Sequence, residues 1–346
     1  MIDDMRKLLI GSSVRWNYLW QRHQALARAA AEVGWHVDFL QPRPRNLHQF
    51  TSCPTRMLRR ERLEQPSAEV RGVVVRKLRD WALLRGSYDL ALVYLPDRIT
   101  EMLLRRVSVE SLVYDVVLAW AIIPERWFPP CGWAAAEHSI AVLPNASVTT
   151  DSEGMRDVLA AREISSRVVH PAADSEFFGV AGQFPYSRGQ DRILYFGSVR
   201  AEADTQWLAH ATLAGFAVDV IGSVDEKAAV ADLSRAGITV HSPLTINELP
   251  SAVASYKILA LPYCGARSAT ILPAKYWNCL ASGAWVLTSG LSAEAGCCGC
   301  VIHVTDWNFK EAETVKQLLV REPQSTEEPP SWRTKWREMQ AAAGAM

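Results

Sequence analysis

The sequence predicts an α/β protein with two doubly wound, parallel-sheet domains. Its 346 residues exceed what one ordinary core needs and suit two domains of roughly 150 residues each. Short, buried, strand-like runs alternate with helix-compatible stretches along the chain, which is typical of a parallel sheet covered on both faces. A segment rich in Pro, Gly, Ser and aromatic residues interrupts this alternation near residues 170–190, where we expect the domain boundary.

The first domain opens with a strand, a helix and a second strand. KLLIGSS is a buried strand that ends in small residues, WQRHQALARAAAEVGW has apolar residues at helical spacing, and HVDFLQP is the next strand. Further strand-like runs are GVVVRKL, DLALVYL, SLVYDVV and SVTTDS, and TEMLLRRV between them is compatible with a helix. We assign residues 1–175 to this domain.

The second domain repeats the alternation. Its strand-like runs are ILYFGSV, AVDVIGSV, ITVHSPL, KILALPY, AWVLTSG and CVIHVTD, with helices such as DTQWLAHATLAG and DEKAAVADLSRAG between them. The segment PPSWRTKWREMQAAAGAM predicts a helix that carries Trp332 and Trp336 on one face. We place the second domain at residues 176–325 and this helix at residues 326–346.

The composition excludes disordered and membrane-spanning classes. Lys+Arg and Asp+Glu number 37 each, 49% of residues are hydrophobic, and no apolar run reaches the roughly 18 residues that a membrane span needs. The start MIDDMRKLLIGSS lacks the core of a signal peptide, so we expect a cytoplasmic protein. Cys297, Cys298 and Cys300 are crowded, but they lack a second Cys/His pair at zinc spacing, which favours free thiols over a metal site or disulfide.

Charge is concentrated in one segment of the first domain. Between Arg43 and Arg85 there are eleven basic and four acidic residues, an excess of seven positive charges. Such a run indicates either an anionic partner or a solvated helix and loop.

Candidate site residues follow the strands, because ligands of doubly wound sheets bind beyond the carboxyl ends of the strands. Gly11 and Ser12 follow the first strand and form either a tight turn or a place where a ligand reaches a helix N-terminus; they do not form a dinucleotide fingerprint. Gly197 and Ser198 follow ILYF, and Arg200 comes next. Arg200 is either a residue whose guanidinium binds a diphosphate through two hydrogen bonds or an ordinary surface arginine.

The most specific stretch is SATILPAKYWNCLASGAWVL. It places a polar loop before Pro273, Lys275 and Asn278 at a helix start, so that a cation and an amide share one face of the loop and helix. The candidate ligand-binding residues in this part of the second domain are Gly222, Leu244, Thr270, Ile271, Leu272, Lys275 and Asn278.

These motifs resemble those of family 4 glycosyltransferases. The donor-binding signature P-x-K-x-x-E-x-L-A-x-G-x-P-V-V stands here as PAKYWNCLASGAWVL, VVHPAADSEFF is similar to the interdomain element G-v-D-x-x-x-F, and ILYFGSVRAEAD is similar to Y-x-G-x-x-x-x-x-D. LTINELPSAVASYKILALPY resembles the element with Glu-Leu-Pro, and VYDVVLAW resembles Y-D-x-x-D-x-W with Leu118 in place of the second Asp. The resemblance covers most of the chain and implies the GT-B fold, in which two Rossmann-like domains face each other across a cleft.

The resemblance also implies a reaction. A UDP- or GDP-sugar would donate its sugar to an acceptor hydroxyl with retention of configuration and without an obligatory metal or cofactor, and Arg200 and Lys275 would contact the diphosphate. Asp115 is then either a contact of the sugar or acceptor or a structural carboxylate. The paired glutamates of the family fall on Thr270 and Asn278, neither of which is acidic, and we expect Asn278 to hydrogen-bond the ribose instead.

Two other functions and several acceptors remain open at this point. A sugar-nucleotide epimerase or hydrolase can share this fold, and the loss of both glutamates is compatible with a non-catalytic nucleotide-sugar-binding protein. The acceptor can be a lipid-linked intermediate, a polysaccharide, a nucleic acid or a small natural product. The basic segment slightly favours an acceptor that bears phosphate, or peripheral contact with a membrane.

Overall fold

The protein divides into two compact units. The structure is a computed structural model that describes residues 5–17, 20–41, 70–77, 80, 84–118, 132–178, 180, 191–200, 202–224, 227–265, 270, 272–291, 299–320 and 328–344. The first unit comprises Met1–His170 together with Trp332–Met346, and the second comprises Pro171–Ser331. The helix that the sequence predicts after residue 325 therefore belongs with the first unit.

The first unit contains a seven-stranded parallel sheet in the order β3-β2-β1-β4-β5-β6-β7. Its strands are β1 (Lys7–Gly11), β2 (His36–Leu40), β3 (Val73–Arg76), β4 (Ser87–Val93), β5 (Ser108–Val116), β6 (Ala146–Thr150) and β7 (Arg167–Val168), and its helices before the second unit are α1 (Arg22–Glu32), α2 (Arg98–Leu104), α3 (Trp133–Ala141) and α4 (Glu153–Ala160). The strand order reverses between β1 and β4, which is the point where doubly wound sheets bind ligands.

The second unit contains a six-stranded parallel sheet in the order β10-β9-β8-β11-β12-β13. Its elements are β8 (Arg192–Phe196), α5 (Thr205–Leu213), β9 (Ala217–Ile221), α6 (Lys227–Arg235), β10 (Thr239–His241), α7 (Leu249–Val253), β11 (Ile258–Pro262), α8 (Ala274–Ser282), β12 (Trp285–Ser289), β13 (Val301–His303) and α9 (Phe309–Leu319). The chain then enters α10 (Trp332–Ala342) of the first unit. The predicted fold class, two parallel-sheet α/β domains, is confirmed.

Helix starts are fixed by polar side chains that directly follow strands or loops. Asp97 accepts hydrogen bonds from the backbone amides of Ile99 and Thr100 and begins α2, and Asp204 accepts one from Trp207 and begins α5. Such caps satisfy amides that have no partner within the helix. Among the described residues, no helix is long and apolar enough to cross a membrane.

Helix α10 is anchored to the first unit by its tryptophans. The predicted shared face is confirmed, because Trp332 and Trp336 are both buried, Trp336 completely. The ring of Trp336 meets that of Trp35 edge to face, with 5.2 Å between centroids. A sulfur contact of 3.8 Å joins Met339 to the guanidinium of Arg22 at the start of α1. The end of the chain is therefore part of the core that supports α1.

Replacing Trp336 tests this anchoring. We expect Trp336→Ala to lower the free energy of unfolding by about 3–5 kcal/mol, because it leaves a cavity against Trp35. The control Arg337→Ala removes an exposed side chain of the same helix and should change stability by no more than about 0.5 kcal/mol. Urea unfolding of both variants checks the prediction, and equal stabilities would contradict it.

Candidate functional site

Two glycines shape the carboxyl edge of the second sheet. Gly197 directly follows β8 with a φ of +113°, a left-handed conformation that favours glycine, and Gly222 directly follows β9. A Cβ atom on Gly222 would lie 2.0 Å from the carbonyl oxygen of Gly197. The two loops therefore pack backbone against backbone, and a side chain at residue 222 does not fit.

Hydrogen bonds hold these two loops together. The Gly197 amide donates to the carbonyl of Ile221 at 2.9 Å, and the Val199 amide donates to the carbonyl of Ser223 at 2.7 Å. The hydroxyl groups of Ser223 and Ser198 are 3.0 Å apart. The sequence indicated Gly197, Ser198 and Gly222 as candidate ligand-binding residues in two different loops. Hydrogen bonds and the close backbone contact join these two loops into one substructure.

Lys275 lies beside this glycine loop. It is in the first turn of α8, and its Nζ donates to the carbonyl oxygen of Phe196 at 3.2 Å, at the end of β8. The same nitrogen is 4.0 Å from the ring centroid of Tyr195 and 5.1 Å from that of Tyr263, and a Cβ on Gly197 would lie 3.3 Å from it. Ring faces attract a cation, so Lys275 is held with its charge at the strand end. Burial raises the pKa of Tyr263 to about 12, which keeps that hydroxyl protonated at neutral pH.

The other predicted residues of this unit differ in how they are placed. Leu272 is buried in the hydrophobic core and Leu244 packs against that core, so both side chains contribute to packing. Arg200 and Thr270 are half-buried. Ile271 lies outside the described residues.

Asn278 contacts the backbone and side chain of Asp174. Its Oδ1 accepts from the Asp174 amide at 2.7 Å, and its Nδ2 donates to Asp174 Oδ2 at 3.0 Å. Both polar ends of the amide are thus used within the protein, and only 7% of the residue is exposed. A ribose would have to compete with Asp174 for this side chain. The predicted ribose contact stays a prediction.

The turn after β1 in the first unit is internally bonded. Ser12 is completely buried, its amide donates to the Leu40 carbonyl at 3.1 Å, and its hydroxyl donates to the Val14 carbonyl at 2.8 Å. Gly11 is buried as well, and a Cβ atom added to it would be in ordinary van der Waals contact with Leu92 and Val93. These contacts describe a tight turn, which is one of the two interpretations of the sequence.

An ion pair lies beneath the carboxyl edge of the first sheet. Arg22, the first residue of α1, donates to both carboxylate oxygens of Asp115 on β5, with Nε 2.7 Å from Oδ2 and Nη2 3.1 Å from Oδ1. Thr149 on β6 donates to Oδ1 at 2.8 Å. Asp115 is completely buried, so its carboxylate orients Arg22 and carries no exposed surface.

Two further buried groups of this cluster titrate unusually. Burial raises the pKa of Asp151, directly after β6, to about 7, while the charge of Arg22 opposes this shift and that of Asp115 adds to it. Burial and the charge of Arg22 lower the pKa of His23 to about 3, so this histidine is neutral at neutral pH. His23 Nε2 is 3.3 Å from the Ser13 hydroxyl, and the ring centroids of His23 and Tyr94 are 3.7 Å apart. We call Arg22, His23, Asp115, Thr149 and Asp151 the buried polar cluster.

Asp115 is the one member of this cluster that the sequence indicated as a candidate site residue. Arg22 and His23 lie in the segment WQRHQALARAAAEVGW, for which the sequence predicts only a helix, and Asp151 lies in the strand-like run SVTTDS. A charged residue directly after a parallel strand was the available signal, because that edge binds ligands. Asp151, which directly follows β6, satisfies this rule.

Other sequence candidates receive less support from the described residues. Most of the basic segment between Arg43 and Arg85 lies outside them, and within them Arg76 binds Asp38 at 2.7 Å. Cys297 and Cys298 also lie outside, whereas Cys300 is buried as a free thiol. Within the described residues, no group of three His, Cys, Asp or Glu side chains is arranged to hold a metal ion.

The fold is that of two-domain, GT-B glycosyltransferases. Solved structures similar to this chain include sucrose-phosphate synthase from Thermosynechococcus elongatus, with 12% identity, a TM-score of 0.57 and coverage of 98% of this chain and 94% of that chain. AviGT4, a glycosyltransferase involved in avilamycin A biosynthesis, has 12% identity and a TM-score of 0.60, and the match covers 98% of this chain and 97% of that chain. An α-glucosyltransferase solved with UDP and a 13-mer DNA has 9% identity, a TM-score of 0.57 and coverage of 98% and 94%. No protein-family model and no curated protein matches the chain.

The close contact at Gly222 gives a stability prediction for the loop pair. We expect Gly222→Ala to destabilise the protein by about 3 kcal/mol or more, because the new methyl group meets backbone that cannot rotate away. Gly237→Ala is the matched control, since Gly237 has a φ of +75° but no atom within 4 Å of its Cβ position. It should lose only about 1–2 kcal/mol from backbone strain. Chemical unfolding compares the two, and a smaller loss at residue 222 would contradict the prediction.

The raised pKa of Asp151 predicts how the free energy of unfolding depends on pH. Its folded-state pKa of about 7 exceeds the ordinary value of 3.8, so the folded protein retains a proton that the unfolded chain releases. The stabilising contribution is full below pH 4 and is lost as pH rises through 7, on the order of 2–4 kcal/mol. Asp151→Asn should abolish this loss.

The comparison is made by urea unfolding between pH 5 and 9. Asp157→Asn, which changes an exposed carboxylate of α4, should retain the wild-type pH dependence. Because the pKa of His23 is lowered, its contribution to stability is lost as pH falls below its ordinary pKa of 6.5, which is the opposite direction. This contribution is present in both proteins, so it cancels when the stability of Asp151→Asn is subtracted from that of the wild type. A difference that does not vary with pH would contradict the assignment.

Proposed function

We propose that this protein is a glycosyltransferase that moves a sugar from a nucleotide-diphosphate sugar to an acceptor hydroxyl. The observation that carries the proposal is Lys275 Nζ, held at the carboxyl end of β8 beside the loop of Gly197 and Gly222. A strand-end glycine loop with a fixed cation is suited to a diphosphate, and the structural neighbours include glycosyltransferases, one of them solved with UDP.

The cations of the second unit would stabilise the leaving group. As the bond to the anomeric carbon breaks, negative charge grows on the diphosphate, and a preorganised cation lowers the energy of that transition state. Lys275 is preorganised by its bond to the Phe196 carbonyl and by the Tyr195 ring. Arg200 follows the same strand and would be the second contact. We propose retention of configuration, a UDP- or GDP-sugar donor and no obligatory metal, in keeping with the family 4 resemblance.

The first unit would supply the acceptor site. Asp115 would act through Arg22, because its own carboxylate oxygens bind Arg22 and Thr149 within the protein. Lipid-linked, polysaccharide, nucleic-acid and small-molecule acceptors all present the hydroxyl group that this reaction needs.

Removing the positive charge of Lys275 tests the donor site. We expect Lys275→Met to lower kcat/KM by about 10²–10³, because the aliphatic stem still packs between the tyrosine rings while the charge is gone. Lys316→Met is the control, since its Nζ also lies over a ring, that of Phe216, on a different helix. Arg200→Gln should show a similar loss of turnover.

The assay measures release of UDP or GDP from a panel of nucleotide sugars, with and without EDTA. Equal turnover in Lys275→Met and Lys316→Met would refute the donor site. Binding of nucleotide sugar without any turnover in wild type would instead identify a non-catalytic binding protein. Appearance of an epimerised nucleotide sugar would identify an epimerase.

A further inference from the structure

The buried polar cluster of the first unit has hydrogen-bonding capacity that the protein does not use. Among the described residues, no group accepts a hydrogen bond from Arg22 Nη1, although this nitrogen is buried and the other two nitrogens of the guanidinium bind Asp115. Nδ1 of His23, on the same turn of α1, likewise lacks a partner within the described part of the chain. Leaving buried polar groups unsatisfied costs about 1–3 kcal/mol each, so the arrangement suits a ligand.

The position of the cluster agrees with a binding role. Arg22 begins the helix that follows β1, Asp115 is the next-to-last residue of β5 and Asp151 follows β6, so these groups share the carboxyl edge of the sheet. The edge includes the reversal of strand order between β1 and β4. Doubly wound sheets bind their ligands at this point.

The charges of the cluster favour an uncharged ligand. The positive charge of Arg22 is already paired with Asp115, and His23 is neutral. Asp151 adds negative charge as it ionises near neutral pH. No excess positive charge remains to offset a phosphate or carboxylate, whereas donors and acceptors lie side by side, as hydroxyl groups require.

We propose that Arg22 and Asp151 bind a hydroxyl group of an uncharged, polyhydroxylated ligand, with Arg22 Nη1 donating to the hydroxyl oxygen and the Asp151 carboxylate accepting from the hydroxyl. The ligand class is a sugar or polyol. This inference deepens the proposed function, on which its biological meaning rests, by naming the chemistry of the acceptor. Asp115 and Thr149 are positioning residues, because they fix the guanidinium of Arg22.

Binding of simple probes to the full chain tests this site without any donor. Mannitol and glucose are titrated in saturation-transfer NMR experiments, with glucose 6-phosphate as the anionic comparison. Arg22→Lys keeps the charge opposite Asp115 but removes the free nitrogen, and Asp151→Asn keeps the shape but not the carboxylate. Each should weaken mannitol binding by about 10-fold or more, since a hydrogen bond to a charged group is lost. Arg28→Lys on the same helix and Asp157→Asn on α4 are the matched controls and should bind as wild type does.

A pH series separates Asp151 from its neighbours. The charges of Arg22 and Asp115 act on the Asp151 carboxyl group, and the Ser152 hydroxyl donates to its Oδ1 at 3.3 Å. The ring of His170, which is also titratable, contacts the Asp151 carbonyl at 3.2 Å. Mannitol affinity should rise through pH 7 in wild type and stay flat in Asp151→Asn. A rise that persists in this variant would assign the effect to another group and overturn the role of Asp151.

The remaining outcomes are also decisive. Unchanged mannitol binding in Arg22→Lys and Asp151→Asn, or tighter binding of glucose 6-phosphate than of glucose, would overturn the proposal. So would failure of every probe to bind, because internal water would then satisfy Arg22. Since no nucleotide sugar is present, probe binding can succeed where turnover fails, and the two proposals are judged separately.

Discussion

The buried ion pair between Arg22 and Asp115 is the interaction on which the first unit depends. It joins the start of α1 to β5, takes in β6 through Thr149, and reaches α10 through Met339. A buried guanidinium is tolerated only when a carboxylate and further hydrogen bonds compensate for lost hydration. The pair therefore fixes four elements of the first unit, and it also leaves one guanidinium nitrogen directed away from its partner.

The second unit depends on backbone contact instead of charge. Gly197 and Gly222 bring the ends of β8 and β9 closer than any side chain allows, and their amides are used by neighbouring carbonyls. Lys275 then adds a fixed cation beside that loop. A rigid loop with a preorganised cation can bind a diphosphate without rearranging, which is the physical basis of the proposed donor site.

The departures from the family 4 pattern also have a structural consequence. Where the family places a glutamate, Asn278 forms two hydrogen bonds with Asp174, an arrangement that an amide satisfies as both donor and acceptor. A glutamate at this position would bring a second carboxylate against Asp174. The amide therefore stabilises the segment after the first unit, and any ribose contact would come at the expense of that pairing.

The sequence by itself determined the fold class, the two domains, the strand ends at Gly197 and Asp115, and the helix start that carries Lys275, because hydrophobic periodicity and turn residues are local signals. It also predicted that Trp332 and Trp336 share a buried face. Only the tertiary structure decided which polar residues meet. Arg22 and Asp115 are far apart in sequence, as are Asn278 and Asp174, and their pairing arises from parallel strands that bring distant residues to one edge. The pKa of Asp151 likewise depends on burial and on the charges around it, which no local pattern in the sequence encodes.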